Sequence, residues 1–185
     1  MKSGQTKRGG KARKTDDAIL RQHLVNLLRG RGAHVDFDKA MAGLPAALRG
    51  ARHAKLTLYQ GGLQVQPAPV TPWRLLEHMR IAQWDILEFC REAKHVSPDW
   101  PEGYWPAGDG PADGAAWNAS VAAFQRDSAQ MEALVKNPRT NLYAPIPHGN
   151  GQTILREALL VADHNSYHLG QMVLLRRLLG VWKGS

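Results

Sequence analysis

The chain has 185 residues, 43% of them apolar and 22% charged, enough for one domain with a real hydrophobic core and too apolar to be disordered throughout. A single cysteine, Cys90, excludes an internal disulfide framework and a cysteine-based zinc cluster; no apolar run approaches the roughly 18 residues of a membrane-spanning helix. The net charge of +8 is concentrated at one end: Lys2, Lys7, Arg8, Lys11, Arg13 and Lys14 carry six charges with no acid among them, and the 18 basic and 16 acidic side chains of residues 15–185 nearly cancel.

Residues 1–15 therefore read as a disordered basic tail, rich in Gly, Ser and Lys and unable to bury apolar surface. Its plainest role is solubility. Such a tail can touch phosphates through counterion release, but the near-neutral body argues against a nucleic-acid partner. No apolar leader follows the basic start, so the expected location is a reducing cytoplasm.

Residues 16–185 read as the folded domain. The first helix runs from about Asp16 to Arg29, with Leu20, Leu24, Leu27 and Leu28 as its stripe and Gly30 as its stop. Phe37 to Leu44 suggests a short helix, and Pro45 to Leu48 a further turn. Leu56 to Val70, with Gly61-Gly62 between two alternating runs, reads locally as a small β-hairpin.

The second long helix has a clear start: Thr71 is a good N-cap and Pro72 sits where its missing N–H costs nothing. It extends to about Ala93, with Leu75, Met79, Ala82, Ile86 and Phe89 on one face. Residues 94–114 form a loop rich in Pro, Gly and aromatics. Its Trp100, Tyr104 and Trp105 either line a pocket mouth or pin the loop to the helices, and pinning is the simpler reading.

A third helix spans about Ala115 to Lys136, with a stripe of Trp117, Val121, Phe124, Ser128, Met131 and Val135. The fourth starts after Thr153 and stops at Gly180. Four amphipathic helices with no convincing sheet predict an all-α four-helix bundle.

Three of the eight histidines stand out. His164 and His168 are four apart, so on a helix both imidazoles share one face, within reach of a single ion. The stripe Leu160, His164, His168, Gln171, Leu175 and Leu178 points that face into the bundle. His78 sits between Leu75 and Ala82 on the apolar face of the second helix. Three core-facing imidazoles are costly unless something satisfies them, and a divalent ion would. Three protein ligands leave a coordination position open, as catalytic sites do. Asp85 lies two turns beyond His78, some 10 Å along the axis and too far to be a ligand; it fits a supporting or buried polar role. Gln171, one turn after His168, is placed to bond a ring N–H or water. Glu77 is expected to face solvent.

Two segments carry a resemblance. Pro72–Phe89, containing His78, is similar to the second-helix motif of DinB-like (DinB/YfiT) proteins; Ala162–Gln171, containing His164 and His168, is similar to their fourth-helix motif. The tryptophan-rich loop Ser97–Pro106 resembles one branch of that family. Residues 54–70 and the basic tail depart from it. The resemblance implies a bundle of up-down-down-up topology. It implies one divalent ion, whether zinc, nickel or iron, held by His78, His164 and His168. The activities it implies are those of a metal-dependent hydrolase or a thiol-dependent S-transferase, with a small-molecule substrate, a low-molecular-weight thiol as partner, and a homodimer. The competing reading is a non-catalytic stress-response or binding protein that the ion merely stabilises.

Overall fold

The computed structural model describes residues 6–52 and 70–183, with side chains from residue 16 onward. The described residues form five α-helices: α1 (Thr6–Leu28), α2 (Phe37–Met41), α3 (Pro72–Arg91), α4 (Gly114–Lys136) and α5 (Ile154–Leu178). The last three begin at side chains that accept from the first-turn backbone: Thr71 from Arg74, Asp113 from Ala116 and Thr153 from Arg156. Each such cap stabilises its helix by about 1 kcal/mol. At the C-terminal end of α5, Gly180 takes a left-handed conformation (φ 74°) that other residues resist.

Two expectations change here. The backbone of Thr6–Thr15, expected to be disordered, continues α1 upstream of Asp16. Lys, Arg and Ala are good helix formers and no proline interrupts them, so extending an existing helix, even across Gly9 and Gly10, is easier than nucleating one. The hairpin expected at Leu56–Val70 falls on residues 53–69, outside the described residues. Among the described residues there is no strand, only one isolated bridge between Pro145 and Thr153. No described helix is long and apolar enough to cross a membrane.

The four long helices form the bundle, with α1 and α3 each packed between α4 and α5, and α2 resting on α5. The side-chain pairs give the directions. Trp73 meets Trp117 and Gln83 reaches the Phe124 carbonyl, so α3 and α4 run parallel. His78 meets His168, and Cys90 clusters with Ile154 and Ala158, so α5 runs back along α3. Arg21 bonds the Asn137 carbonyl while Arg29 pairs with Glu132 nearer the start of α4, so α1 runs against α4.

The core has two apolar halves. One gathers Leu75, Met79, Phe124, Leu169 and Met172 with Phe37 of α2. The other gathers Leu24, Leu87, Met131, Ile154 and Val161. Between them lies a buried amide pair: Asn165 donates to the Gln83 side-chain oxygen (2.9 Å), and Gln83 donates to the Phe124 carbonyl (2.8 Å).

The single stripes read from sequence understate burial. A helix touching two neighbours buries more than one stripe. Glu77, expected to face solvent, is buried between α3 and α4 and accepts from Arg80 at 2.8 and 2.9 Å. On α5 the deepest face is Ala158, Val161, Leu169, Met172 and Leu175, whereas Leu178 is exposed. The histidine pair therefore borders this face rather than forming its centre.

Candidate metal centre

His78 lies in the second turn of α3, and His164 and His168 lie one turn apart in the middle of α5. The antiparallel packing of α3 on α5 brings the three rings together. One ring nitrogen from each lies within 4.8 Å of the others. His78 and His168 are buried, 4% and 7% exposed, and His164 is half-buried.

Hydrogen bonds decide which nitrogens are available. The Tyr104 carbonyl lies 2.9 Å from Nδ1 of His78 and can only accept, so that nitrogen carries the hydrogen and Nε2 presents a lone pair. Gln171 does the same for His168, its Oε1 lying 2.7 Å from Nδ1. Nε2 of His164 lies 3.1 Å from Nε2 of His78. Two nitrogens each about 2.0–2.1 Å from one tetrahedral ion would be roughly 3.3 Å apart, so the spacing suits a shared ion. One side of His78 is closed by Trp105, whose ring stacks on it at 3.9 Å with an interplanar angle of 1°. Arg74 covers the indole at 5.6 Å and donates to the Pro106 carbonyl (3.3 Å).

Burial holds all three imidazoles below their usual pKa. It brings His164 down to about 4 and His168 to about 3, with the neighbouring rings adding to the effect, and it lowers His78 against the opposing pull of the Tyr104 carbonyl. At neutral pH the rings are uncharged, which is the form a metal requires. Buried neutral donors, two with their tautomer fixed from outside, fit a divalent ion.

The family comparison agrees with this arrangement. The model of the DinB superfamily matches residues 29–172, which span the three histidines and most of the bundle. The chain belongs to the DinB superfamily. No curated protein and no solved structure matches it significantly.

The supporting residues of this DinB-superfamily chain fall in different places. Gln171 touches a histidine of the centre directly. Asp85 touches none: its Oδ2 accepts from the Tyr104 hydroxyl (2.7 Å), and its Oδ1 lies 2.7 Å from Nε2 of His95. Of the loop aromatics, Tyr104 and Trp105 pin the loop against α3, while Trp100 is 72% exposed. His95 is not among the three histidines that the sequence singles out. The signal available was its nearness, ten residues on, to an acid on the apolar side of a helix: a buried carboxylate needs a donor. Ser128 lines a cleft of about 350 Å³ walled by α1, α2, α4 and α5, none of the three histidines being among its lining residues.

Proposed function

We propose that this DinB-superfamily protein holds one divalent ion, zinc, nickel or iron, through His78, His164 and His168, and uses it for thiol-dependent transfer to a small electrophilic substrate. The observation that carries the reading is the set of three buried, uncharged imidazoles whose nitrogens gather within 4.8 Å. Without an ion, the three rings face one another with too few hydrogens to satisfy every nitrogen.

When bound, the ion keeps its full charge beside neutral ligands, lowers the pKa of a nearby nucleophile and polarises an electrophile. The chain's own groups do the rest. The Tyr104 carbonyl and Gln171 hold two rings in the metal-ready tautomer. Trp105 covers one face of His78 and excludes water from it. A thiol is favoured over water as nucleophile because the carboxylates near His78 on α3 are already engaged. Glu77 is held by Arg80, and Asp85 by Tyr104 and His95. Water attack generally needs a base to take its proton. A thiol, with a pKa near 8.5, ionises beside a cation without one.

The proposal includes a cytoplasmic setting, supported by the free thiol of Cys90. It also includes a homodimer, supported by the exposed Leu159, Tyr167, Leu174 and Leu178 along α5.

The test starts with metal content by mass spectrometry on protein purified without a polyhistidine tag, beside His78→Ala and His168→Ala. About one ion per chain in the parent and little in either variant is expected. Metal-dependent conjugation of a low-molecular-weight thiol to a model aryl halide then supports transfer. Metal-dependent ester or amide hydrolysis without thiol would replace it with a hydrolase. A large metal-dependent rise in melting temperature with no turnover would replace it with the stabilised, non-catalytic protein.

A further inference from the structure

The histidine centre is tied to a second buried polar cluster that none of its ligands touches. Tyr104 joins the two. Its backbone carbonyl meets Nδ1 of His78 at 2.9 Å, and its side-chain hydroxyl meets Oδ2 of Asp85 at 2.7 Å. His78 and Asp85 are seven residues apart on α3, two helical turns and about 10 Å along the axis. One loop residue thus spans two turns of one helix, like a strut laid along it.

The strut has a defined anchor. Asp85 is 8% exposed and both its oxygens are engaged, one by Tyr104 and one by His95. His95 is fixed in turn by its backbone bond to the Glu92 carbonyl (3.0 Å) and by the edge-on ring of Trp84 at 5.1 Å. The loop itself has little regular structure, just the 3-10 turn Glu102–Tyr104. Backbone bonds within the loop, Tyr104 N–H to the Pro101 carbonyl (3.2 Å) and Trp105 N–H to the Glu102 carbonyl (3.1 Å), hold the shape of the turn, and contacts with α3 set where the turn sits against His78. On the other side of His78, the loop is attached near the start of α3 by Arg74 on the Pro106 carbonyl and Thr71 on the Asp109 carbonyl. Tyr104 and Asp85 provide the attachment on the side facing the end of α3.

Burying a carboxylate is expensive, and an apolar residue would pack the same spot at less cost if packing were all it did. What a carboxylate provides here is direction. A short bond to a phenol fixes the position of Tyr104, and the position of Tyr104 fixes its carbonyl.

We propose that Asp85 is a positioning residue for the metal centre, acting through Tyr104 to hold the carbonyl that sets the tautomer and orientation of His78. This rests on the metal reading above for its functional meaning, while the link to the His78 ring stands without metal. Partners that orient metal-binding histidines are typically worth about 10- to 100-fold in metal affinity.

The test uses the full chain, Tyr104→Phe, Asp85→Ala and the double variant, each compared by two measurements. One is the Zn2+ dissociation constant from chelator competition. The other is the His78 ring tautomer in the metal-free protein, from long-range 1H–15N spectra. In the parent, His78 is expected to be in the Nδ1–H form. Tyr104→Phe, which removes one oxygen and keeps the ring, is expected to give a mixed tautomer and about 10-fold weaker zinc binding. Asp85→Ala is expected to lose 10- to 100-fold, roughly, and the double variant no more than Asp85→Ala, because both changes break the same link. A parent that binds zinc, with affinity and tautomer unchanged in Tyr104→Phe, overturns the positioning role and leaves the metal reading intact. A parent that binds none of zinc, nickel and iron(II), with a tautomer that still shifts in Tyr104→Phe, overturns the metal reading and supports the strut. Losses that simply add in the double variant also overturn it, because they show two separate effects on stability.

Discussion

Two places in the bundle bury polar side chains from α5, and they solve the problem in opposite ways. Arg176 is 3% exposed and close to the C-terminal end of the helix. Its guanidinium donates to the carbonyls of Ala40 and Ala42, so it closes the C-terminal end of α2, and it lies 5.1 Å over the ring of Trp182. Three turns earlier, His164 and His168 face His78 with lone pairs rather than with donors and acceptors in matching numbers. The terminal nitrogens of the Arg176 guanidinium are bonded to carbonyls of the chain, and only its buried Nε has no partner among the described residues. The histidine cluster has outside partners for two of its outer nitrogens, Tyr104 for His78 and Gln171 for His168, while its inner nitrogens face one another, Nε2 of His164 lying 3.1 Å from Nε2 of His78. A buried polar group that is satisfied by its own chain is structural. One whose remaining capacity converges on a point is a site.

The largest test of that distinction removes a member of each cluster. His168→Ala and His78→Ala are expected to lower zinc affinity by more than about 100-fold, since two neutral imidazoles rarely hold an ion that three do. The metal-free variants should melt at or above the metal-free parent, because each loses a buried polar ring. Metal titration and differential scanning calorimetry on the same samples read both quantities. A histidine variant that melts far below the metal-free parent would make the cluster structural after all.

Arg176→Met is expected to do the reverse. It keeps the apolar stem and strands the Ala40 and Ala42 carbonyls, a loss of about 2–4 kcal/mol. At roughly 2–4 °C per kcal/mol for a chain of this size, the melting temperature should fall by about 4–16 °C. Zinc affinity of the folded variant should be unchanged. A parallel fall in affinity would mean that the two clusters are coupled along α5.

The clusters also differ in pH response. Unfolded histidines take up protons near pH 6.5, whereas the buried rings resist until about 4 for His164 and about 3 for His168. Their folded pKa values lie below the unfolded ones. The metal-free protein is therefore at full strength above pH 6.5 and loses stability as the pH falls toward 4, because the unfolded state binds more protons. Each such ring contributes about 2 kcal/mol of this loss by pH 5. Urea midpoints at pH 7.5 and 5.0 should differ more in the parent than in His168→Gln. Equal differences would remove the burial argument for His168.

The smallest effect belongs to Gln171. Gln171→Leu removes the acceptor on Nδ1 of His168 and should weaken zinc binding by about 3- to 10-fold without changing the number of ions bound. A loss as large as that of His168→Ala would make Gln171 part of the ligand set itself.

Much of this was visible in the chain. Thr71-Pro72 and Thr153 announce the starts of α3 and α5, because an oxygen at the N-cap and a proline in the first turn act through bonds to residues three or fewer positions away. The four-residue spacing of His164 and His168 has the same local origin. His78 was visible as a polar interruption of an apolar stripe, and its partnership with the other two through the resemblance of both motifs to a known family. The residues that support the centre were less legible. Asp85 stood out as an acid in the wrong place, but its function depends on Tyr104 and His95, 19 and 10 residues away along the chain. Glu77 looked exposed because a stripe drawn for one neighbour ignores the second helix packed beside α3.

By itself the sequence determined the helices, their caps and the identity of three unusual histidines, since propensity, capping and periodicity operate within a few residues. The tertiary structure alone decided that α3 runs against α5 so that the three rings meet, that the Tyr104 carbonyl fixes the tautomer of His78, and that Trp105 lies flat on the same ring. Those contacts join residues up to 90 positions apart, from His78 to His168. No local pattern encodes them: they follow from how two amphipathic helices and one loop share a single core.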